Sequence, residues 1–285
     1  MAYSKPIPTN TWELNLTNNE SKAVISWMGD SWVAHFRILS DRINKHKNYH
    51  ELILSPHEIK LTDKDKDTFH KAYINYQGKS SATMNRILCD YDLFRKWSNH
   101  LPRITILHVG ACDIANEDIG RSDKIRVDFP VKVIDFLNKF KQKARQSAYD
   151  VAKFDSAISE HTFLIIGVPD WGKFTNRPGK EDCELNCDKF RSARKKANDG
   201  LNNNRPSLYN LHRAVVYTPN LQHPIRNGVH LANISQEEYI NKILNVVIKL
   251  LCSSCKLENN YVAAEHKLLD NGICIKTTNQ DSGTP

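Results

Sequence analysis

The sequence predicts an α/β protein: a doubly wound, five-stranded parallel sheet with helices on both faces, in three α/β/α layers. Two observations carry that prediction. Five short runs rich in apolar, β-branched and aromatic residues, at Val24–Met28, Lys71–Gln77, Arg103–Val109, Thr162–Val168 and Arg213–Tyr217, are separated by stretches with helical periodicity. Parallel neighbours require crossover connections, so this alternation favours a parallel sheet over a string of hairpins. In addition, several runs stop at small or polar residues: Gly29-Asp30-Ser31, Gly78 to Thr83, Gly110 to Asp113, and Pro169-Asp170. Such residues suit strand ends that open on the crevice where α/β sheets hold their ligands.

Taken in order, residues 1–21 are polar, with Pro6 and Pro8, and read as a flexible N-terminal arm. Residues 22–255 form the expected folded domain. Val24–Met28 is the first strand; the Gly-Asp-Ser turn then opens a helix from Trp32 to Lys45 that gathers Val33, Phe36, Ile38, Leu39 and Ile43 on one side. Residues 46–68 read as loop with at most one short strand. Gly78 to Thr83 joins the second strand to a helix from Met84 to Trp97, and the third strand runs into Gly110-Ala111-Cys112-Asp113. A Lys-rich helix from Val131 to Ala148 leads to the fourth strand, which meets a turn at Pro169-Asp170-Trp171-Gly172. A surface loop at 173–186 and a basic helix from Cys187 to about Asn202 precede the fifth strand. The last helix, Ser235 to Leu251, carries Ile240, Ile243, Leu244, Val247 and Leu251 on one side, and Ser235 with Glu238 reads as its capping box. Residues 256–285 lose this periodicity and read as a disordered tail.

With 285 residues, 40% apolar and 25% charged, the chain has the composition of a folded globular protein rather than a disordered one. No apolar run approaches the roughly eighteen residues of a membrane span, and no apolar core of signal-peptide length follows Met1, so a cytoplasmic protein without a membrane span is expected. Seven cysteines cannot all pair within one chain, which favours reduced thiols. Cys183 with Cys187 and Cys252 with Cys255 have spacings that suit two halves of a zinc site, and suit incidental helical thiols as well. Neither a metal nor a cofactor is assigned. The net charge of +8 permits contact with nucleic acid. Arg191, Arg194, Lys195 and Lys196 are the candidate RNA contacts, against the alternative of a solvated helix face.

Gly29-Asp30-Ser31, taken alone, suits a helix N-cap first and a nucleophile turn second. A serine nucleophile needs a base and a set of donors for the oxyanion that its attack creates. Of the twelve histidines, His230 is the best placed, in a turn after the last strand and just before a helix.

The order Gly29-Asp30-Ser31, Gly78 to Thr83, Gly110-Ala111-Cys112-Asp113 and Asn227-Gly228-Val229-His230-Leu231 resembles the SGNH hydrolase superfamily, the GDSL esterases and lipases, over about residues 22–251. The resemblance implies a flavodoxin-like sheet with strand order 2-1-3-4-5. It implies a serine esterase acting on a small-molecule ester, with Ser31 as nucleophile and His230 as general base. The oxyanion hole falls on Ser31, Ser81 and Cys112, with Gly78 as the alternative to Ser81; Asp30, Gly110 and Asp113 line the pocket. Two positions depart from the family pattern. Cys112 stands where the family has an oxyanion-donating Asn, and Asn227 where it has the Asp that orients the histidine. A thiol is a weaker donor than an amide, and an amide oxygen accepts a hydrogen bond without supplying charge. The alternative expectation is a non-catalytic SGNH-like domain that binds a partner, RNA being the candidate.

Overall fold

The computed structural model describes residues 24–36, 73–116, 123–169, 183–221, 226–227 and 230–251. The arm at 1–21, the loop at 46–68, the tail at 256–285, Cys252 and Cys255 lie outside these described residues. The elements, in order, are β1 (Val24–Gly29), α1 (31–36), β2 (Tyr73–Gly78), α2 (Met84–Leu88), α3 (Tyr91–His100), β3 (Ile104–His108), α4 (Ala111–Asn116), α5 (Ile125–Gln146), α6 (Val151–Glu160), β4 (Thr162–Ile166), α7 (Cys183–Asn203), α8 (Arg205–His212), β5 (Ala214–Tyr217), β6 (Arg226–Asn227), β7 (His230–Leu231) and α9 (Asn233–Leu251).

The five main strands are all parallel and lie in the order β2-β1-β3-β4-β5. That is the expected order, with the chain reversing direction across the sheet between β1 and β3. Alternation along β1, β3, β4 and β5 divides the core in two. Met28, Leu107, Phe163, Ile165, Ala214 and Val216 pack with α2, α3, α5 and α7 on one face. Ile25, Trp27, Ile104, Ile106, Leu164, Ile166 and Val215 pack with α1 and α9 on the other. Strands covered on both faces read as continuous apolar runs, which is why β1, β3, β4 and β5 are visible in the sequence.

The helices depart from expectation where capping residues interrupt the periodicity. The helix predicted over 84–97 is two helices, because Asp90 accepts the N–H of Leu93 and starts α3 afresh. The Val131–Ala148 helix begins at Ile125; Pro130 is its sixth residue and leaves the Arg126 carbonyl without the N–H that would otherwise donate to it within the helix. Asp150 caps the unpredicted α6 by accepting from Lys153 N. The last helix begins at Asn233, two residues early, so Ser235 sits inside its first turn rather than capping it.

Candidate active site

Register brings the carboxyl ends of three strands level. Gly29, the last residue of β1, lies opposite Gly78 of β2 and His108 of β3. A Cβ added to Gly29 would fall 2.3 Å from the His108 carbonyl oxygen, so the close approach of β1 and β3 here requires glycine. Asp30 N–H then donates to that same carbonyl at 3.4 Å. The Asp30 carboxylate, 1% exposed, accepts the N–H of Trp32 at 2.9 Å and so caps α1. Ser31, half-buried, is the first residue of α1. Gly29-Asp30-Ser31 is thus a helix cap at the carboxyl end of a central strand, and the two readings of the triplet are compatible.

The turn after β2 is tied to β1 by Lys79 N–H donating to Gly29 O at 3.0 Å. Ser81 occupies this turn with φ 56°, in the left-handed region that favours glycine, and its side chain is exposed. Gly78 serves a different purpose: a Cβ there would meet Ala34 N at 2.1 Å, so it lets β2 pack against α1. Of the two candidate oxyanion positions, only Ser81 has the left-handed backbone.

On the other side of β1, Gly110 has φ 105° and an added Cβ would lie 2.4 Å from Phe129 Cζ. The sharp turn from β3 into α4 therefore depends on it. Asp113 is fully buried; its carboxylate accepts Met84 N–H at 3.1 and 3.2 Å and pairs with Lys132 Nζ at 3.2 Å. It joins α2, α4 and α5 and so fixes the turn that carries Ser81. Cys112 is buried, with Sγ 4.0 Å from Asp30 Oδ2. Burial, reinforced by the charges of Asp30 and Asp113, pushes its thiol up to about 12, so it stays protonated with the S–H directed at Asp30.

Asn227 and His230 face each other in the antiparallel β6–β7 ladder, which leads directly into α9; their backbone is described and their side chains are not. The neighbouring Leu231 is buried in the core beside α1. Its carbonyl accepts Gln236 Nε2 at 2.6 Å, which anchors the ladder to the first turn of α9.

Three residues that sequence reasoning missed stand behind this site. His108, 1% exposed, has Nδ1 facing Asp30 Oδ1 at 3.7 Å and Nε2 at 2.9 Å from the Tyr239 hydroxyl of α9. Trp32 stacks on the His108 ring at 5.6 Å between centroids, and Phe36 meets it edge-on at 5.8 Å. Burial, then the charge of Asp30, holds the Tyr239 hydroxyl well above its ordinary value, so it is a neutral O–H. Asp30 lies at Nδ1 and the Tyr239 hydroxyl at Nε2, so both ring nitrogens of His108 face a polar partner. The third residue is Gln236. A histidine closing an otherwise apolar strand was the available signal.

The candidate RNA contacts lie on α7. Lys195 and Lys196 are exposed, whereas Arg191 pairs with Asp188 at 3.0 Å and Arg194 reaches the Val168 carbonyl at 3.5 Å. Cys183 and Cys187 fall on the first turns of α7, and their thiols lie outside the description. Among the described residues no cluster of metal-ligating side chains occurs, and no helix is long and apolar enough to cross a membrane.

No protein-family profile and no curated protein matches the sequence. Solved structures do. An extracellular lipase from Streptomyces rimosus is 13% identical, with 79% of this chain and 99% of that one covered and a TM-score of 0.41. An aryl esterase of M. smegmatis is 10% identical, with 80% and 99% covered and a TM-score of 0.43. A candidate GDSL-like lipase from Bacteroides ovatus is 12% identical, with 81% of this chain and 54% of that one covered and a TM-score of 0.45. These are likenesses of fold. By its own strand order and layering, the chain is a doubly wound α/β/α protein with a flavodoxin-like 2-1-3-4-5 parallel sheet.

Proposed function

We propose that the chain is a serine esterase-type hydrolase acting on a small-molecule ester. Ser31 Oγ attacks the acyl carbonyl, and His230 takes the serine proton and returns it to the leaving alcohol. Water then repeats the cycle on the acyl-enzyme. Backbone N–H groups of Ser31 and Ser81 receive the oxyanion, Cys112 lines the hole, and the Asn227 side chain accepts from the histidine ring. The observation that carries this reading is the left-handed Ser81, one strand away from Ser31 on a turn hydrogen-bonded to the end of β1. A serine in that backbone conformation costs about 1–2 kcal/mol, and such strain collects where backbone N–H groups are aimed at a ligand.

A fluorophosphonate probe, which phosphonylates an activated serine with loss of fluoride, tests the proposal. Wild-type protein is expected to label at one site and Ser31→Ala to stay blank. Folded wild-type protein that never labels sinks the hydrolase reading and leaves the non-catalytic one, in which Arg191, Arg194, Lys195 and Lys196 of α7 are the candidate RNA contacts.

A further inference from the structure

We infer that Tyr239 and Gln236 of α9 are positioning residues that set the spacing between Ser31 and His230. The inference rests on the Ser31–His230 reading and adds the means by which two stretches two hundred residues apart keep a common geometry. One end of the path is the nucleophile turn, where Asp30, the residue before Ser31, faces His108 Nδ1 at 3.7 Å. His108 Nε2 meets the Tyr239 hydroxyl at 2.9 Å. Tyr239 and Gln236 are three apart on α9, so they share a helix face. Gln236 Nε2 donates to the carbonyl of Leu231, the residue after His230, at 2.6 Å. The path begins and ends one residue from each member of the dyad.

The path is built to be stiff. Asp30, His108, Leu231, Gln236 and Tyr239 are all no more than 5% exposed. Trp32 and Phe36 of α1 hold the Tyr239 ring with centroids at 5.6 and 5.7 Å. The path's two hydrogen bonds, His108–Tyr239 and Gln236–Leu231, are buried polar links with few alternative partners, so they hold position better than apolar contact does. Dyads are sensitive to such support, since a misplacement of about 1 Å can cost on the order of 10²-fold in rate. Neither α9 residue touches the reacting atoms.

Tyr239→Phe keeps the ring and removes only the hydroxyl. The imidazole signals of His230, assigned with His230→Ala, are expected to shift or broaden in Tyr239→Phe, while those of the distant His161 stay in place. Fluorophosphonate labelling is expected to slow at least ~10-fold, and kcat on a p-nitrophenyl ester to fall with KM unchanged. Gln236→Met breaks the other link and is expected to act alike, which keeps the test open if one variant fails to fold. His230 signals that superpose on wild type in both variants would overturn the inference. Wild-type protein that stays unlabelled overturns the serine-hydrolase reading instead, and the imidazole signals still decide whether Tyr239 and Gln236 position His230.

Discussion

In the proposed hydrolase, Cys112 is the residue at which the oxyanion hole departs furthest from a strong one. Its thiol is held near a pKa of about 12 by burial and by Asp30 and Asp113, and its S–H is aimed at the Asp30 carboxylate. An asparagine there would bring two N–H donors, one for Asp30 and one free to meet the oxyanion. Removing one such donor from a hydrolase costs on the order of 10²–10³ in turnover. Cys112→Asn is therefore expected to raise kcat on a p-nitrophenyl ester by about that factor, with KM little changed. A kcat at or below the wild-type value, in protein of normal thermal stability, would remove Cys112 from the oxyanion hole. Asp30 presents a similar lesson at the same scale. Its residue type is read readily as a helix cap, and it does cap α1, yet the same carboxylate also faces His108 and Cys112.

At the scale of elements, the site depends on α1 lying flat against β2. Gly78 permits this, since a Cβ there would stand 2.1 Å from the backbone nitrogen of Ala34 and 2.7 Å from its Cα. Backbone cannot rotate aside as a side chain can, so Gly78→Ala must push α1 off the strand. Overpacking of this kind costs about 1–3 kcal/mol, and in a domain of this size about 1 kcal/mol lowers Tm by ~2–4 °C. Gly78→Ala is expected to lose at least that much Tm in a thermal melt and to label more slowly at Ser31; unchanged Tm would mean that α1 has room the structure does not show. The five strands, the Gly-Asp-Ser turn and α5, α7 and α9 were readable from apolar runs and periodicity. Burial on both faces leaves a plain hydrophobic signature in a strand. The break between α2 and α3, and the short helices α6 and α8, were not readable. Each turns on a local capping or proline contact that outweighs periodicity over a few residues. The link from His108 to Tyr239 was hidden for another reason: it joins residues 131 apart, and only the fold brings them together.

For the whole molecule, the two ends of the sheet have different chemistry. The carboxyl end gathers Asp30, Ser31, Ser81 and Cys112, whereas the amino end buries two histidines at the starts of β4 and β5. His161 is enclosed by Trp97 and Phe163, with ring centroids at 5.1 and 4.6 Å, and its Nδ1–H donates to Pro102 O at 2.6 Å. Burial lowers its pKa to about 3, with the Lys141 and Arg213 charges adding to the effect and the Pro102 carbonyl opposing it. His212 is lowered to about 4, chiefly by burial and then by Lys141. Both rings are neutral in the folded protein at neutral pH. Below about pH 6.5 the unfolded chain binds protons at these two positions that the folded chain refuses, so stability is full above that pH and falls as the pH drops. The loss from His212 ends near pH 4 and that from His161 near pH 3. Where both contribute in full, two protons correspond to about 2.7 kcal/mol per pH unit. Urea melts at pH 7.5, 6.0, 5.0 and 4.5 are expected to trace this decline. His161→Asn, which cannot titrate, is expected to be less stable than wild type at pH 7.5 because packing is lost, yet to lose stability with falling pH more gradually, by the slope of one proton. Equal slopes for the two proteins would show that His161 takes up its proton in the folded state and that acid destabilisation has another source.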